Sequence, residues 1–147
     1  MDHLSKKYNK GQTSDMMIFG KTLYFEAGST CGIQEVLAIA WLIRNRVEGK
    51  KWFGNTYQAV CLKPWQFSCW NGKTLEQIEK IDLNGKFRWA MCLMVAEFVM
   101  MAPAKMRPEW MGRSVYYYEP TLCSPKWARK MKRMYPVLKL KHIFFIE

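Results

Sequence analysis

A chain of 147 residues, 50% hydrophobic and 15% aromatic, is long enough for one cored domain and too short for two ordinary ones. That composition excludes a disordered tail or a low-complexity linker. Twenty-three Lys and Arg against 12 Asp and Glu leave a net charge of +11, which favours polyanionic surroundings: nucleic acid, anionic lipid or an acidic envelope polymer.

The start, Met1 to Lys7, carries bases but no apolar stretch after them, so the expectation is a protein made in the cytoplasm without a signal peptide. Residues 1–12 read as a flexible N-terminal arm and 13–147 as a single domain. Ser14 suits the N-cap of a helix through Met17, Leu23 and Tyr24 that Gly28 closes. Val36, Leu37, Ala40, Trp41, Ile43, Arg44 and Val47 follow helical spacing, and Gly49 stops that helix. A short helix starts at Asn55 or Thr56. Lys63 to Gly72 reads as an aromatic loop punctuated by Pro64 and Asn71-Gly72. Thr74 to Gln77 fits a capping box. Phe87 to about Met101 is apolar nearly all round and reads as a buried central helix; the longest apolar stretch, Trp89 to Ala102, is interrupted by Glu97 and falls short of the roughly 18–20 residues that span a bilayer.

Beyond Pro103 the character changes. Val115 to Tyr118 and His142 to Ile146 are strand-like, and Pro125 to Met134 between them reads as a basic helix. The fold class is α+β: a helical core with a small C-terminal antiparallel β element. From residue 102 onward ten Lys and Arg face three Asp and Glu, so +7 of the charge lies in the last third. A patch of that kind fits any polyanion, and it is also what an ordinary solvated helix face looks like.

The chemistry inventory is short. His3 and His142 are the only histidines, and there is no H-E-x-x-H and no C-x-x-C, so neither a zinc hydrolase nor any metal site is expected. No phosphate-binding loop or dinucleotide fingerprint appears, and no cofactor is expected. Five cysteines (Cys31, Cys61, Cys69, Cys92, Cys123) read as free thiols in a reducing cytoplasm.

Two candidates remain for catalysis. Glu26 lies among aromatic neighbours at a helix C-terminus, where both the apolar setting and the dipole disfavour its charged form, as a general acid requires. An ordinary surface Glu at a helix end has the same sequence appearance. The second candidate is a Cys-His pair built on His142, although nothing local marks any cysteine as a nucleophile.

Four stretches in order resemble the catalytic domain of spore cortex-lytic enzymes and related SleB-type cell-wall hydrolases. They are Thr22 to Ala27; Ala38 to Val47, ending in Asn45-Arg46-Val47; Gln66 to Asn71; and Tyr116 to Pro120 followed by Pro125 to Ala128 and His142 to Phe145. The resemblance covers about residues 14–146. It implies a lysozyme-like α+β fold and cleavage of the MurNAc-β-1,4-GlcNAc bond of peptidoglycan, most simply as a lytic transglycosylase. Glu26 matches the family's acid/base Glu, and no second carboxylate convincingly partners it, unlike a standard glycosidase.

Further roles are implied by the same resemblance. Tyr24, Gln66, Phe67, Ser68, Tyr117, Trp127 and His142 are expected along the substrate, with His142 also readable as a structural edge-strand residue. Asn45 and Arg46 read as ties between a helix end and the aromatic loop. Where the family has Arg-Gly-Glu after its Glu-Ala, Gly28-Ser29-Thr30 stand here, so the second family Glu is missing. Glu35, at a helix start, is a poor substitute. The bare basic domain suits a bacteriophage endolysin, released to the wall through a partner holin and acting as a monomer. The alternatives are a muramidase on the same bond or, in another class, a non-catalytic nucleic-acid binder; neither nucleic acid nor a transmembrane segment is expected.

Overall fold

The computed structural model describes residues 10–28, 32–49, 51–136 and 139–146. Five α-helices carry the core: α1 (Lys10–Leu23), α2 (Ile33–Gly49), α3 (Tyr57–Leu62), α4 (Leu75–Glu79) and α5 (Trp89–Met101). A π-helical turn, Tyr24–Gly28, continues α1. Three short strands follow: β1 (Tyr116–Tyr118), β2 (Lys132–Met134) and β3 (Ile143–Ile146). They form an antiparallel sheet in the order β1-β3-β2, with Tyr117 opposite Phe144 and Arg133 opposite Phe145. The α+β expectation holds.

The central helix is α2. Val36 and Ala38 through Ile43 are buried around its circumference, so Trp41, Ile39, Leu42 and Ile43 pack in every direction. Each such side chain contributes roughly 1.5–3 kcal/mol on burial. The expected all-round burial of Phe87 to Met101 does not occur. α5 buries Trp89, Cys92, Val95, Ala96 and Val99 on one face and exposes Met94, Phe98 and Met101 on another. Apolar composition permits burial without enforcing it, and α5 lies on the outside of α1 and α2. The α1–α5 approach is close at Gly20, where an added Cβ would sit 3.3 Å from Leu93 and Trp89 side-chain atoms.

Local capping follows the sequence for two helices. Thr56 caps α3 by accepting from the Ala59 N–H, and Thr74 and Gln77 form a reciprocal capping box on α4. Ser14 does not cap α1, which already runs from Lys10. Its hydroxyl donates to Gln58 Oε1 at 3.1 Å, beside Asp15, which accepts from the Gln58 N–H. Of the expected arm, residues 1–9 lie outside the described residues and 10–12 belong to α1.

The basic helix expected over Pro125 to Met134 is instead a 3₁₀ turn, Lys126–Lys130, followed by β2. Pairing with β3 satisfies the backbone of Lys132–Met134 and makes β3 the central strand. His142 therefore leads into the middle strand, not an edge. Phe144 and Phe145 are buried accordingly.

Candidate active site

Glu26 sits in the π-helical turn, where the wider winding turns this residue out of the α1 register; such turns recur at functional sites. Its flanks differ. Ala27 is buried, Phe25 is partly exposed, and Glu26 itself is half-buried. The Tyr117 hydroxyl, from the middle of β1, donates to Glu26 Oε2 at 2.9 Å. Burial and the neighbouring Glu26 carboxylate push the Tyr117 phenol well above its ordinary pKa, so it stays a protonated donor. Burial and the Glu26 carboxylate also raise the pKa of the Cys69 thiol, from the aromatic loop, so it stays protonated too.

Behind these groups lies Arg46. Its guanidinium stacks on Phe53 at 4.5 Å and Phe67 at 5.4 Å, and Nε donates to the Val115 carbonyl at 2.8 Å. Burial lowers its pKa to about 10, against the opposing pull of Tyr117, Tyr116, Cys61 and Glu26. It remains a cation at neutral pH. Asn45, one residue earlier, donates to the Gly112 and Ser114 carbonyls at 3.1 and 2.9 Å. The pair ties α2 to the segment entering β1, and Arg46 also reaches Phe67 of the aromatic loop.

Glu35, read from sequence only as a poor substitute for the second family Glu, has a partner that sequence reasoning missed. Buried at the start of α2, it accepts from the backbone N–H groups of Lys141 and His142 at 3.1 and 2.6 Å and contacts His142 Nδ1 at 2.5 Å. Burial alone would raise its pKa, but the side-chain and backbone hydrogen bonds of His142 and the Lys141 N–H together bring it below the ordinary value. The His142 ring packs 5.3 Å from that of Tyr117. An acid in the first turn of the helix, next to its apolar run Val36–Ile43, was the available signal.

The other expected substrate residues spread out. Phe67 is 1% exposed and lies under Tyr117 and Arg46, while its neighbours Gln66 and Ser68 point outward, half-buried and exposed. Tyr24 is half-buried, edge-on to Phe25 and Trp89. Trp127 packs on Tyr116, Tyr118 and Phe145, the sheet face opposite Tyr117 and Phe144. His142 is engaged by Glu35, and no thiol among the described residues pairs with it. Cys61 and Cys92 are buried, which pushes their thiols up to about 12 and 11, far from nucleophilic at neutral pH. Cys31 lies outside the described residues. Among the described residues no three His, Cys, Asp or Glu groups are gathered to hold a metal, and no helix is long and apolar enough to cross a membrane.

Residues 32–146 match the model of the Cell Wall Hydrolase family. The chain belongs to the cell wall hydrolase family. Glu26 lies just upstream of the matched span, whereas Glu35, Arg46, Tyr117 and His142 lie within it. Among solved structures, the catalytic domain of the germination-specific lytic transglycosylase SleB from Bacillus anthracis superposes with a TM-score of 0.64 at 21% identity, covering 95% of this chain and 99% of that one. No curated protein matches the chain. This cell wall hydrolase therefore shares the SleB catalytic-domain fold.

Proposed function

We propose that this enzyme cleaves the MurNAc-β-1,4-GlcNAc bond of peptidoglycan as a lytic transglycosylase, with Glu26 as the single acid and base. The observation that carries the reading is the Tyr117–Glu26 hydrogen bond, on a carboxylate that no second carboxylate hydrogen-bonds among the described residues. With Tyr117 donating to Oε2, the proton that Glu26 delivers is carried on Oε1. Glu26 protonates the glycosidic oxygen as the C1–O4 bond breaks. The resulting carboxylate then takes the proton of the muramic 6-hydroxyl as O6 closes on C1, so the acid is regenerated without an external water. Tyr117 and Arg46 stabilise the intervening anion. The family and the SleB-like fold support the substrate class.

The test is Glu26→Gln on purified peptidoglycan. The wild type releases soluble fragments and the variant does not, although both sediment with the wall. Equal release by both proteins overturns the role of Glu26. An endolysin role, with release by a holin, is part of the same proposal, and the charge of +11 supports it by attraction to anionic envelope polymers. Cells producing the chain then lyse only once their membrane is permeabilised; lysis without permeabilisation contradicts that role.

A further inference from the structure

Trp65 is the anomaly of the aromatic loop. Its side chain is 82% exposed, and its backbone sits at φ 67, the left-handed region that favours glycine. A bulky residue held there, with its ring in solvent, gains nothing from packing. Beside it lies a cavity of about 190 Å³ bounded by Lys63, Trp65, Phe67, Trp70, Asn71 and Lys73 among others.

Trp70 links the wall of this cavity to the turn that carries Glu26. Trp70, in the cavity wall, is fixed by its indole N–H donating to Thr22 at 3.0 Å and packs edge-on to Phe25 at 5.5 Å. Phe25 precedes Glu26, and Cys69, preceding Trp70, carries a thiol whose pKa the Glu26 carboxylate helps to raise. The Phe25–Trp70 ring contact thus places the cavity wall beside the turn that carries Glu26.

We propose that Trp65 and this cavity form a glycan subsite holding one N-acetylhexosamine of a β-1,4-linked strand, away from the bond that Glu26 acts on. The chemistry fits in two respects. A pyranose ring has an apolar C–H face, which stacks on an exposed indole, and a rim of hydroxyl and acetamido oxygens, which accept from Lys63, Lys73 and Asn71. The inference rests on the glycan-cleaving reading for its choice of sugar and names where the strand lies.

The test is calorimetric titration of chitohexaose and of peptide-free glycan strands onto Glu26→Gln, alone and combined with Trp65→Gly or Trp65→Phe. Trp65→Gly raises Kd at least tenfold while the melting temperature holds or rises, because glycine relieves the left-handed backbone; Trp65→Phe keeps most of the affinity. An unchanged Kd in Trp65→Gly overturns the subsite. So does a fall in both affinity and melting temperature, which makes the indole a packing residue, and so does failure of both glycans to bind the Glu26→Gln parent. Fragment release by the wild type is read separately. Release with Trp65-independent binding sinks only the subsite, and Trp65-dependent binding without release sinks only the catalytic reading.

Discussion

The Tyr117 hydroxyl reaches Glu26 Oε2 at 2.9 Å across 91 residues of sequence, joining the sheet to the end of α1 at one carboxylate. A hydrogen bond to a charged group is worth about 1.5–3 kcal/mol. Tyr117→Phe keeps the ring against Phe67 and Phe144 but removes that donor. The expected result is a fall in kcat of roughly 10- to 100-fold with KM nearly unchanged. Steady-state release of labelled glycan measures it, and an unaltered kcat contradicts the assignment.

Glu35 and His142 predict an acid-sensitive fold. The folded-state pKa of Glu35 is lowered, so its contribution is fully present above the unfolded value of about 4.3 and is lost as pH falls through the lower folded value. Glu35→Gln should flatten the acid limb of stability against pH, and Glu35→Ala should cost about 3–5 kcal/mol by stranding the buried His142 contacts. Urea titrations between pH 3 and 7 read both. An acid limb identical in Glu35→Gln would place the sensitivity elsewhere.

Asn45 spans two carbonyls that lead into β1. Asn45→Ala leaves both without that donor and is expected to cost about 2–3 kcal/mol, seen as a lower denaturation midpoint with an unchanged slope. A cost within about 0.5 kcal/mol of zero would mean that water replaces the amide without loss.

Thiol chemistry separates this site from a cysteine-dependent one. Cys61, Cys69 and Cys92 carry thiols whose pKa values are raised by burial, and Cys123 is the exposed one among the described residues. Iodoacetamide on the native protein should label Cys123 readily and leave wall-degrading activity intact. Rapid inactivation that tracks alkylation of one thiol would favour a Cys-dependent amidase or peptidase.

Much of this was legible in sequence because the signals were local. Helical spacing gave α2, Thr56 and Thr74 marked their helix starts, and the paired aromatic segments marked β1 and β3. What failed depended on distant partners. Ser14 looked like a cap because nothing in sequence shows Gln58 beside it. Lys132–Met134 became a strand because β3 offered an unpaired edge. α5 was read as central because its composition resembles that of a buried helix, whereas its place against α1 and α2 decides which face is covered. At the site, Glu26 and Tyr117 were each visible as candidates, but their hydrogen bond was not. The Glu35–His142 pair is a contact over 107 residues, with no motif to announce it.

The most direct measurement is mass spectrometry of the fragments released from purified peptidoglycan by the wild type and by Glu26→Gln. Glycans ending in 1,6-anhydro-muramic acid, one water lighter than reducing ends and absent with the variant, are the predicted result. Reducing muramic ends would contradict ring closure and make the reaction hydrolysis. Severed peptide or amide bonds, or anhydro ends persisting with Glu26→Gln, would contradict the catalytic role of Glu26.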